Sequence, residues 1–315
     1  MNCLKSYIDE QIRTIVYEDG VVATPGNTMG MGNPMAPTDT TPGSEPIVVG
    51  PRKKRKISKN KICTKIKESL LDDDNAFYDP KNDKNLIVDW IKSNYKITGK
   101  LTISDDFIVD CSGVVKVKNT NITSLTNGLF RWAKVGGDFL CDGCKNLTSL
   151  NGAPEEVEGD FDCSNCNNLI SLEGGPKEVG TNFDCGDCDK LTSLEGAPEI
   201  VRGGFYCDGC ENLTSLKGSP KRVDDAFYCN GCENLTSLEG APKKIGRGFW
   251  CSHCEKLVSL KGGPEKIGGS FVCYNCDSLK SLDGAPKKIR DSLVCTDCKN
   301  LEITDSDRKK YSIED

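Results

Sequence analysis

The sequence predicts a repeat solenoid, mainly β: a parallel β coil of about eight regular 22-residue coils plus a degenerate first coil, with a small α-helical N-terminal cap. Three observations predict it. Sixteen of the nineteen cysteines fall in eight CxxC pairs spaced 22 residues apart, from Cys141/Cys144 to Cys295/Cys298. The unit around each pair, cleanest from Val201 through Pro220, reads V-x-G-x-F-x-C-x-x-C-x-x-L-x-S-L-x-G-x-P and recurs without insertion or deletion. A strict period of this length marks units that bury their apolar faces against one another. Finally, 32 glycines, 7% aromatic and 37% apolar residues would underfill a large globular core, yet suffice for a thin one.

Residues 1–18 read as an amphipathic segment, with Leu4, Tyr7, Ile8, Ile12 and Ile15 at helical spacing. Residues 19–62 read as a disordered linker, too rich in Pro, Gly, Thr and Met to offset its chain entropy, with a basic run at 52–61. Residues 63–100 form a helical cap region: one helix around Lys65 to Leu71, and a stronger one from Lys84 to Ser93 that puts Leu86, Ile87, Trp90 and Ile91 on one face. The solenoid spans 101–300. Its start alternates apolar residues (Leu101, Ile103, Phe107, Val109, Cys111), which predicts short strands. Aligning Cys111 with the first cysteine slot puts Val109 on the Phe slot, Val114 on the second cysteine slot and Val117 on the Leu slot. Residues 301–315 are a polar tail suited to shielding the last coil from edge-to-edge association.

Within a coil, one short strand is expected. Alternation turns Phe205 and Cys207 inward and Tyr206 outward. Cys210, Leu213 and Leu216 return to the core around the bend, and Gly218 with Pro220 turns the chain toward Val223. At about 4.8 Å per coil, eight coils make a rod of about 38 Å. Each inward slot then becomes a column: phenylalanines from Phe139 to Phe271, two columns of thiols, and serines from Ser149 to Ser281 that serve backbone groups at a corner.

The spacing F-x-C-x-x-C-x-x-L resembles the leucine-rich-repeat pattern, with Phe and the first Cys in the apolar strand slots and the second Cys in the Asn/Cys slot. The phrase LTSLEGAP, at 191–198 and 235–242, resembles repeats common in proteins of tailed bacteriophages. That resemblance covers roughly residues 101–300 and implies a binding scaffold, with no particular reaction.

CxxC is also the standard zinc-ligand spacing, and neighbouring coils would bring Cys207, Cys210, Cys229 and Cys232 together. A zinc knuckle draws both sulfurs from a tight turn, whereas here the first cysteine is strand-borne; packing of buried thiols is the reading adopted, with structural zinc or redox chemistry as the rival. The only histidine, His253, lies between Cys251 and Cys254 in an otherwise variable slot and reads as an exposed loop residue. Without a second histidine, a Walker-type loop or a recognisable carboxylate pair, no enzyme and no cofactor are expected. No run of 18 apolar residues exists, so no membrane partner is expected, and the opening MNCLKSYIDEQIR lacks the apolar core of a secretory signal.

The outward strand slot carries Asp162, Asp184, Tyr206, Tyr228 and Trp250, with Tyr274 nearby, and would line a concave face. A row of exposed aromatics predicts a protein contact, the alternative being that the rings cover their own strand. The run Arg52, Lys53, Lys54, Arg55 and Lys56 suits non-specific DNA contact through phosphates. MNCLKSYIDE resembles the capsid-targeting peptides of phage internal head proteins, which implies cleavage after Glu10. The expectation is a non-enzymatic scaffold inside the virion head, binding a capsid protein, or in the host bacterial cytoplasm, binding a host factor.

Overall fold

The computed structural model describes residues 80–314. The amphipathic segment over 1–18, the linker, the basic run, the helix near 65–71 and the cleavage position Glu10 lie outside the described residues. The rest is a parallel β-solenoid of about eight coils, as the 22-residue period requires.

The N-terminal cap is helix α1 (Pro80–Asn94). It buries Ile87, Trp90 and Ile91 on one face, which is why the helical pattern is visible in sequence. Trp90 meets Phe130 edge-on at 5.8 Å, Phe130 meets Trp132 at 5.3 Å, and the Tyr95 hydroxyl donates to the Leu125 carbonyl. An aromatic plug thus closes the end of the core.

Five strands lead into the repeats: β1 (Tyr95–Ile97), β2 (Leu101–Ile103), β3 (Ile108–Cys111), β4 (Val115–Val117) and β5 (Arg131–Val135). Strands β2 and β3 are the short alternating strands expected and pair antiparallel, but the first coil is registered differently from its cysteine. Val115 pairs with Phe139, so it takes the Phe slot, while Cys111 pairs with Val135 in another sheet. The cysteine is a misleading marker there because Val115 and Val117, buried on one side of β4, already fill the two inward positions.

Each regular coil carries two strands, not one. The Phe-led dipeptides, from Phe139–Leu140 to Leu293–Val294, join β1 and β4 in an eleven-stranded sheet. The dipeptides ending in Val or Ile, from Glu156–Val157 to Lys288–Ile289, extend β5, β3 and β2 into a ten-stranded second sheet. A two-residue strand gives too short an alternation to detect in sequence, and the second one falls where Gly and Pro suggest only a turn. Hydrogen bonds run oppositely in the two sheets. Phe205 N–H donates to Ala226 O of the following coil, whereas Gly180 N–H donates to Val157 O of the preceding one.

Between the sheets the core is a set of columns. Phe139 to Phe271 stack with centroids 5.0–5.4 Å apart and planes within 11°. The two leucines of each coil from Leu147 to Leu282 and the inward Val or Ile of the second sheet from Val157 to Ile267 are buried beside them. Turn positions carry the backbone strain. Gly240, at φ +92°, has its missing Cβ 2.5 Å from Lys217 N of the preceding coil, so no side chain fits.

The polar tail is ordered. Helix α2 (Asp305–Lys310) starts at a capping box between Thr304 and Asp307. Ile313–Glu314 then pairs in parallel with Leu293–Val294, covering that edge of the first sheet.

Candidate functional site

The thiols of the central coils have a geometry that packing alone does not describe. In the coils from Cys163 to Cys229 the first cysteine donates its S–H to the next coil: Cys207 Sγ lies 3.3 Å from Tyr228 O, and Cys229 Sγ 3.4 Å from Trp250 O. The second donates to the coil before: Cys210 Sγ lies 3.2 Å from Cys185 O and Cys232 Sγ 3.2 Å from Cys207 O. The strand ends just before the first cysteine, and the carbonyls of Cys185 and Cys207 receive no backbone N–H among the described residues. The second thiol of the next coil fills that gap. Cys207, Cys210, Cys229 and Cys232 are therefore divided among separate carbonyls. No cluster of three or more Cys, His, Asp or Glu among the described residues is arranged to hold a metal ion. Burial pushes the Cys207 and Cys229 thiols well above their ordinary range, so thiolate chemistry is suppressed.

His253 sits in a slot that is not free to vary. The residue before each second cysteine is left-handed: Gly209 at φ +67°, His253 at +56°, Asn275 at +55°, Asp297 at +57°. The slot takes Gly, Asn, Asp or His because these tolerate positive φ. The imidazole packs edge-on against Tyr274 at 4.8 Å and its Nδ1 lies 3.5 Å from Asn275 Nδ2. Tyr274 thus belongs to the turns, 37% exposed, and partners His253.

The outward slot of the first sheet brings the other expected residues into one column. Asp184, Tyr206, Tyr228 and Trp250 are registered neighbours. Tyr206 stacks on Tyr228 at 4.7 Å and Tyr228 on Trp250 at 4.6 Å. All three are half-buried, since each ring folds back along its own strand: a Cβ on Gly204 would meet the Tyr206 ring at 2.8 Å, and one on Gly248 the Trp250 ring at 2.2 Å. The rings cover backbone and still present a continuous edge to solvent. At the head of this column Asp162 and Asp184 accept from the N–H two residues on, Ser164 and Gly186 at 2.9 and 2.8 Å. Burial, with Asp162 and Asp208 adding, pushes the Asp184 carboxyl up to about 6 against the Gly186 hydrogen bond. Arg52, Lys53, Lys54, Arg55 and Lys56 lie outside the described residues.

No family model, no curated protein and no solved structure matches the chain. No helix among the described residues is long and apolar enough to cross a membrane.

The second sheet has an outward column of its own, which a one-strand coil conceals: Lys134, Glu156, Glu178, Ile200, Arg222, Lys244, Lys266 and Lys288. Its only sequence signal is the charge before each recurring Val or Ile, easily taken for ordinary turn polarity.

Proposed function

We propose that the chain is a non-enzymatic interaction scaffold whose protein partner docks on the first sheet at Tyr206, Tyr228 and Trp250. One observation carries the reading: the three rings stack in register and offer an unbroken aromatic edge. Stacked, strand-borne aromatics lose little freedom on binding and supply large amphipathic contact area. Asp162 and Asp184 extend the column and add a polar margin. The thiols of the central coils, from Cys163 to Cys232, are each held by a carbonyl and favour a structural role over a zinc or redox module.

The LTSLEGAP repeats and the capsid-targeting-like opening support a tailed-bacteriophage setting, with cleavage after Glu10, packaging in the head and DNA contact by Arg52 to Lys56. Mass spectrometry of purified virions tests this. A peptide beginning at Gln11 is expected, and absence of the chain from the particle overturns packaging. Cross-linking of intact particles before and after Tyr228→Ala with Trp250→Ala tests the docking face: the cross-link to a capsid protein should disappear. An unchanged cross-link refutes the site, and one to a host protein in infected cytoplasm moves the scaffold from virion to host.

A further inference from the structure

Charge on the second sheet is distributed unevenly along the solenoid. In the early coils like charges also face each other, as with Glu156 and Glu178, but each is neutralised: Lys134 bridges Glu156 at 3.8 Å and Glu158 at 2.6 Å, and Arg202 pairs with Glu178. In the last three coils the column becomes Lys244, Lys266 and Lys288, directly registered. Strands pair about 4.8 Å apart, and like charges directly opposite one another are destabilising. None of these three lysines forms an ion pair among the described residues. Edge protection accounts for Lys288, on the last strand of the sheet, but not for Lys244 and Lys266 within it.

These lysines line an open cleft of about 850 Å³ with Lys287, Arg290 and Lys310; Asp291 is the one acid in its wall. Tyr311 also lines the cleft, is only 8% exposed, and has a hydroxyl with no hydrogen-bond partner among the described residues. A repulsive row of cations and an unused buried hydroxyl meet in one place. The row of cations calls for an anion from outside.

We propose that this cleft binds the phosphodiester backbone of single-stranded nucleic acid without sequence preference. Five of the six cations are lysines, point charges that read phosphate and carry no fork for base edges. Their row follows the solenoid axis at about 4.8 Å per coil, so a flexible strand can lie along it. A duplex would ride on the rim. The second-sheet carboxylates of a second copy are poor occupants, because Glu155, Glu156, Glu158 and Glu178 are already paired within the chain.

The test uses the full chain with Arg52, Lys53, Lys54, Arg55, Lys56, Lys59 and Lys61 changed to Gln, which removes the basic run as a competitor. Anisotropy of a labelled short oligothymidylate is followed from about 50 to about 200 mM salt. The logarithm of affinity should fall with that of salt with a slope of about −2, as for roughly three phosphates neutralised. Lys266→Glu with Lys288→Glu should weaken binding at least about tenfold and flatten the slope by about one. Both side chains are exposed, and the carboxylate that Lys266→Glu introduces would sit beside Lys244, so folding is retained. Circular dichroism confirms it, and Lys266→Gln with Lys288→Gln should give an intermediate loss. Trp250→Ala should leave oligonucleotide binding unchanged, which separates this site from the aromatic column. Unaltered affinity on charge reversal, no binding at about 50 mM salt, or preference for duplex, polyglutamate, free phosphate or phosphatidylserine vesicles overturns the assignment.

Discussion

Alanine and serine substitutions at Cys207 and Cys210 distinguish three roles that CxxC could play. Both thiols are fully buried. Removing one methylene-sized group from such a site costs about 0.8 kcal/mol of transfer and about as much again for the cavity. At Cys207 the lost S–H···O contact is a second bond to a carbonyl that still accepts the Cys207 N–H at 2.9 Å, worth about 0.5 kcal/mol. Cys207→Ala should therefore cost about 2 kcal/mol. At Cys210 the same atom serves the Cys185 carbonyl, which has no backbone donor. Stranding a buried acceptor adds about 1 kcal/mol or more, so Cys210→Ala should cost about 3 kcal/mol.

Serine separates the roles because it keeps a donor and gives up size. Cys210→Ser should recover about 1 kcal/mol relative to Cys210→Ala, while Cys207→Ser should be no better than Cys207→Ala. Urea unfolding followed by far-ultraviolet circular dichroism, with and without chelator, reads this directly. In thermal melts each kcal/mol should appear as about 2–4 °C. The reasoning fails if Cys210→Ser is as damaging as Cys210→Ala. It also fails if chelator lowers the midpoint of the wild-type chain, the signature of a metal holding the coils together.

Asp184→Asn keeps the acceptor for Gly186 N–H and removes the charge. With a folded value of about 6 against an ordinary 3.8, the carboxyl favours folding most below about 3.8 and that contribution is lost as pH rises through 6. Partial solvent screening brings the gain for Asn to about 1–2 kcal/mol at pH 7, falling toward zero near pH 4, and a gain that grows on acidification sinks the argument. Gly240→Ala should cost about 3 kcal/mol or more, since strain at φ +92° adds to a 2.5 Å contact; a loss below about 1 kcal/mol in urea titration would show that the coils can separate to admit a methyl group. His253→Asn should be neutral and His253→Val should cost about 1–2 kcal/mol, because the turn requires positive φ; equal melting of the two variants contradicts that.

Columns were legible in the sequence where each was announced by one residue type. Phe205, Cys207, Leu213 and Leu216 face inward as alternation and bend geometry require, and the cap helix follows from the spacing of Ile87, Trp90 and Ile91. The second sheet was hidden because Ile245 and Ile267 are the single buried residue of a two-residue strand, too short for a period to register. Cys111 misled for the opposite reason: it matches the repeat chemically while Val115 takes the place beside Phe139. The left-handed demand at His253 could have been read from the Gly, Asn and Asp that occupy the same slot in other coils.

A solenoid with fixed register converts any run of residues in one slot into a linear surface array. The inward slots are held nearly constant by packing, so their repetition carries architecture. The outward slots feel no such constraint, and there a run across adjacent coils has to be explained by what it faces. Opposite-sign pairing explains the early part of the second sheet, where Lys134, Glu156, Glu178 and Arg202 neutralise one another. Nothing within the described residues performs that service for Lys244, Lys266 and Lys288, and the Tyr206, Tyr228 and Trp250 stack stays half-exposed among them. The two runs occupy different sheets, so one scaffold can hold a protein on its aromatic face and a polyanion on its basic one, each removable by substitutions that leave the other intact.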